Sequence, residues 1–84
     1  MKSSDMFAIT GSQIRAARAL IRWSAEDLAK AASVGIATVR RAEGEDGEPS
    51  TTVANLRAIK SALEAGGVEF IPGNGGGPGV RRKK

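Results

Sequence analysis

Three residues, Ser33-Val34-Gly35, separate a pair of helix-patterned segments in "SAEDLAKAASVGIATVRRAE". A break this short constrains the fold more than any other feature, because two helices joined by three residues must stay in contact. Ser24 heads the first segment as an N-cap, and Glu26 and Asp27 follow in the first turn, where the helix dipole favours anions. Leu28, Ala29 and Ala32 give this segment an apolar face. The second segment begins near Ile36 and runs to about Glu43, with Val39 and Ala42 facing inward. Close crossing needs small side chains at the contact, and Ala29, five residues before Val34, stands there. Leu28, Ala32, Val34, Val39 and Ala42 are the apolar set expected to join the two helices. The unit from Ser24 to Glu43 has the dimensions of a helix-turn-helix, whose helices cross at roughly 90–120°.

The flanking sequence predicts further elements. In "TGSQIRAARALIRW", Thr10 and Gln13 have capping-box spacing. Ile14, Ala17, Arg18 and Ile21 share one face with Leu20 beside it, predicting a helix over about 11–22. The loop "EGEDGEPST" ends in hydroxyl residues, and Ser50 or Thr51 can cap a helix in "TVANLRAIKSALEA". Val53, Leu56, Ile59 and Leu63 mark its expected buried side, and Gly66–Gly67 closes it. "VEFIP" then has strand propensity, with Pro72 as its stop. "GNGGGPG" is turn, and "VRRKK" can return as a second strand. A single strand or a β-hairpin fits this end. An isolated hairpin is marginal in water, so it needs the helices or a second subunit. The expected division is a lead-in over 1–9, a helical domain over 10–67, and a strand or hairpin with a basic, glycine-rich tail over 68–84. The fold class is all-α, a compact four-helix domain with that short β extension.

With 84 residues the chain suits one small domain, which buries only about 60 % of its unfolded surface. Dimerisation or a partner often stabilises such domains. Cysteine and histidine are absent, which excludes disulfides and zinc sites of the Cys/His kind. It also leaves catalysis almost nothing to work with. The paired carboxylates Glu26/Asp27 and Glu45/Asp46 are explained by capping and exposure. The expectation is therefore no enzyme, no cofactor and no metal. No apolar run reaches the roughly 18–20 residues of a membrane span, and "MKSSDMFAITGS" lacks a secretory signal's apolar segment. A soluble, cytoplasmic protein with no membrane partner is expected. The formal charge of +4 resides in the final "RRKK", because residues 1–80 carry nine basic and nine acidic side chains. Any positive patch on the body must come from arrangement, not from sum.

Residues 12–65, carried by "IRAARALIRWSAEDLAKAASVGIATVRRAEG", resemble the Cro/phage-repressor type of helix-turn-helix regulators, the XRE family. The resemblance implies a lambda-repressor-like arrangement and a dimeric, double-stranded DNA-binding transcription regulator, most often a repressor. Its third helix would enter the major groove while the second lies across the backbone. Gly35, Ile36 and Ala37 would lie nearest base edges, with Ile36 and Ala37 against thymine methyls. Arg41, on the same face as Ala37, would grip guanine. Thr38, Arg40 and Ser24, with the free amides at the start of the second helix, would meet phosphates. The family also pairs a helix 1 arginine with a glutamate ending helix 3, here Arg18 and Glu43. Three features depart from the pattern. Ser33 replaces the usual turn glycine, at a cost of about 1 kcal/mol if left-handed. Gly35 replaces a capping Ser or Thr. The loop after helix 3 carries Glu45, Asp46 and Glu48 where cations are common, so it should point away from DNA.

Other readings stand beside these. Trp23 is expected to pack at a helix junction and not to stack on bases. "RRKK" suits a DNA-backbone arm, a disordered solubilising end or a trimmed strand edge. The dimer surface would be helix 4 or "VEFIP". The rival function is a protein-interaction module on the same fold, antitoxin-like or an anti-activator partner, which the neutral body and acidic loop favour.

Overall fold

The structure, a computed structural model, describes residues 9–73 and 75–83. Four helices, α1 (Gly11–Ile21), α2 (Ala25–Ala32), α3 (Ile36–Glu43) and α4 (Val53–Ala65), precede a hairpin of β1 (Val68–Ile71) and β2 (Gly79–Arg82). Most of the lead-in expected over 1–9 lies outside the described residues. Ile9 does not, and it is buried in the core.

Local chemistry accounts for the helix ends. Thr10 Oγ1 accepts from the Gln13 amide at 3.1 Å, and Gln13 Oε1 accepts from the Thr10 amide at 2.8 Å. Both donors would otherwise be orphaned at the start of α1. α1 stops where Arg22 turns left-handed at φ 60°. Ser24 and Asp27 form the same reciprocal box at α2, at 3.0 and 2.9 Å. α2 stops where Ser33 takes φ 57° and ψ 43°. The Val34 amide then reaches back to the Ala29 carbonyl at 3.0 Å, a closing bond that brings the chain sharply into α3. Ser33 is left-handed, so the conditional cost of about 1 kcal/mol applies to it. Gly35 caps α3 with no side-chain bond.

Two expectations for α4 need correction. Its N-cap is Thr52, whose Oγ1 accepts from the Asn55 amide at 3.1 Å, and neither Ser50 nor Thr51. Consecutive hydroxyl residues are equivalent as caps in sequence, and the packing of Ile59, Ala62 and Leu63 selects among them. Val53 is not on the buried side: it is 67 % exposed. Apolar residues spaced by three drift round a helix by about 60° per step, so Val53 is turned about 120° from Ile59.

The core draws Ile14 and Ala17 from α1, Leu28 and Ala29 from α2, Val39 and Ala42 from α3, Ile59, Ala62 and Leu63 from α4, and Val68 from β1. Ala32, Val34, Ile36, Leu56, Phe70 and Val80 pack round it, partly buried. β1 and β2 are antiparallel, with Val68 opposite Arg82 and Ile71 opposite Gly79. Of the two alternatives for this end, the hairpin forms, and it rests on the helices. Gln13, only 4 % exposed, donates from Nε2 to the Gly79 carbonyl at 3.0 Å and so links the start of α1 to the start of β2.

α1 also holds the loop that follows α3. The Gly11 amide donates to the Gly47 carbonyl at 2.9 Å, and Ser12 Oγ donates to the Asp46 carbonyl at 3.0 Å. A Cβ on Gly11 would lie 1.8 Å from the Glu45 carbonyl oxygen. Only glycine lets this backbone approach so closely. No helix among the described residues is long and apolar enough to cross a membrane.

Candidate nucleic-acid interface

Burial of Val39, Ala42 and Glu43 on one side of α3 turns the opposite side to solvent. Ala37, Arg40 and Arg41 are exposed there, at the three- and four-residue spacing of a helix face. Exposed Gly35 leads into it, and Ile36 and Thr38 are half-buried at its border. Ile36 also packs against the core, so only a portion of its side chain is open to a ligand. Among the described residues neither Arg40 nor Arg41 forms an ion pair. Their charges are uncancelled there, beside a small alanine that leaves room for close approach.

The position of this face is set from behind. Arg18 Nε lies 2.5 Å from Glu43 Oε2, and Arg18 Nη2 donates to Glu43 Oε1 at 2.9 Å. The pair is mostly withdrawn from water, at 23 % and 10 % side-chain exposure. Arg18 Nη1 also donates to the Trp23 carbonyl at 2.9 Å. One planar guanidinium therefore ties the end of α3 to the corner where α2 begins. The Glu43 contact holds the Arg18 pKa above its ordinary value, against the opposing effect of burial. The pair implied by the resemblance forms, and its hold on the Trp23 carbonyl was not legible in sequence.

Ser24 is exposed at the head of α2. Its Oγ accepts from the Asp27 amide, which leaves the hydroxyl proton free to donate outward. Its own amide is taken by the Asp27 carboxylate. That bond, with the hydroxyl contact, holds the Asp27 pKa below the usual carboxylate range. An incoming phosphate would thus meet the Ser24 hydroxyl and the next amides of α2, with Asp27 close by. Trp23 packs at the junction, as expected: a Cβ on Gly66 would lie 2.8 Å from Trp23 Cζ2.

The acidic loop after α3 is latched to α1. Arg15 Nη2 lies 2.5 Å from Asp46 Oδ1, and Arg15 Nη1 donates to the Glu43 carbonyl. The guanidinium holds the Asp46 carboxyl below its usual range. Glu45 and Glu48 stay exposed. Sequence reasoning missed Arg15 and Gly11. A glycine at the first position of a helix was the available signal, because it weakens the helix unless something must come close. Among the described residues no group of three or more acidic, histidine or cysteine side chains is placed to hold a metal ion.

Neither a protein-family model nor a curated protein matches the chain. The functional reading therefore rests on the geometry of α2 and α3 and on the sequence resemblance.

Proposed function

We propose that this chain is a sequence-specific, double-stranded DNA-binding transcription regulator of the Cro/phage-repressor type, acting as a homodimeric repressor. The observation that carries the reading is the open face of Ala37, Arg40 and Arg41, set from behind by the Arg18–Glu43 contact. On this reading the four helices are a lambda-repressor-like arrangement, and the first half of α3 enters the major groove. Gly35 allows close approach, while Ile36 and Ala37 meet thymine methyls. Arg41 offers two donors to guanine O6 and N7. Thr38, Arg40 and the Ser24 hydroxyl meet phosphates and set the register. A dimer formed through α4 or β1 would place two such faces about one helical turn apart.

The reading is tested by mobility shift on the DNA upstream of the protein's own gene, at two salt concentrations. Retention on that fragment, falling steeply with salt, is expected. No retention at micromolar protein overturns it and favours a protein-binding module. The balanced charge of residues 1–80 and the exposed Glu45 and Glu48 support that second reading.

A further inference from the structure

The α1–α2 corner, the end of α4 and the end of β2 meet at one place. Gly66 lies against Trp23 and Ile21, with room for no side chain: a Cβ there would stand 2.8 Å from the indole and 3.0 Å from Ile21 Cδ1. The next residue, Gly67, accepts the Lys83 amide at 2.8 Å. Arg82 sits opposite Val68, one residue further on. Arg22, between Ile21 and Trp23, and Arg82, beside Lys83, are therefore brought to the same end of the molecule from opposite ends of the sequence. Ser24, the head of α2, is two residues from Arg22.

The ion pairs at this end leave two arginines out. Of the acids there, Glu69 is held by Arg81 at 3.0 and 3.2 Å, and Glu64 lies 3.4 Å from Lys60. Lys83 Nζ bonds the Glu64 carbonyl at 3.0 Å and so caps the last turn of α4. Arg22 and Arg82 are exposed, and among the described residues neither has an ion-pair partner. Arg22 holds a left-handed backbone at φ 60°, so the corner presents its side chain from a fixed turn.

We infer that Arg22 and Arg82 form a phosphate-binding extension of the α2 end, so that the C-terminal hairpin helps to grip the duplex backbone. This rests on the DNA-binding reading above. The two guanidinium groups add cationic donors next to Ser24, while the head of α2 itself carries the exposed carboxylates of Glu26 and Asp27. Guanidinium groups suit this task because they meet phosphate oxygens with two donors at once. Such contacts carry no sequence information, so they raise affinity for any duplex.

The test is fluorescence anisotropy with a labelled mixed-sequence duplex about 20 base pairs long, titrated over a salt series. Arg22→Gln and Arg82→Gln should each lower the slope of log affinity against log salt by about 0.9, and the double variant by about twice that. Arg22→Lys and Arg82→Lys should keep the parental slope, which separates lost charge from lost structure. Wild-type binding with the slope unchanged in both glutamine variants overturns the extension alone. Failure of the wild type to bind any duplex overturns the DNA reading and the extension together.

Discussion

Arg18 and Glu43 meet in a two-point contact, 25 residues apart in sequence, with the remaining Arg18 nitrogen on the Trp23 carbonyl. α1 thereby sets both the start of α2 and the end of α3. Removing one partner leaves the other charge poorly solvated, which costs about 3–5 kcal/mol when a pair is fully buried. With Arg18 still 23 % exposed, Glu43→Ala is expected near the lower figure. Arg18→Lys should recover only a fraction of the loss, because an ammonium cannot reproduce the fork. Urea unfolding measures both. Losses below about 1 kcal/mol would class the contact with surface pairs.

Gly11→Ala should destabilise by about 2–3 kcal/mol, through overpacking that its surroundings relieve poorly. The obstacle is the Glu45 backbone carbonyl, which cannot rotate aside as a side chain can. A thermal midpoint equal to wild type would mean the loop after α3 yields without cost.

Ser33→Gly should act in the opposite direction. It relieves left-handed strain of about 1–2 kcal/mol and gives back some of that gain through a more flexible unfolded chain. A net gain of about 0.5–1 kcal/mol is expected by chemical denaturation. A loss would show that the Ser33 side chain has a role beyond occupying the turn.

Asp46 makes the latch on Arg15 pH-dependent. Its pKa is lowered in the folded protein, first by the hydrogen bond from Arg15. A carboxyl depressed by folding adds stability that is fully present above its unfolded value, near 3.8. That stability is lost as pH falls through the lower folded value. Asp46→Asn should thus be less stable than wild type at neutral pH, and the two should converge below pH 3.8. A gap that is constant with pH would assign the effect to the amide's shape and not to charge.

Arg41→Ala should relax sequence preference and cost about 1–3 kcal/mol on the preferred site, with a smaller loss on unrelated duplexes. Competition binding with both duplexes separates the two. Equal losses on each would place Arg41 on phosphate.

Much of this protein is decided locally and was readable along the chain. The Thr10–Gln13 box, the Ser24 cap, the three-residue break and the Gly66–Gly67 stop are short-range hydrogen-bonding and backbone preferences, which neighbours in sequence suffice to specify. The apolar stripes of α1 to α3 follow equally from helical spacing. Tertiary packing decided the rest. It selected Thr52 over its neighbours as the cap of α4 and turned Val53 outward. It committed Arg15 to the acidic loop and left Arg40 and Arg41 without an ion pair among the described residues. It also brought Arg22 to the same end as the close of β2. Those outcomes depend on which backbone arrives from the far end of the chain, and periodicity or charge along a single segment carries no information about that.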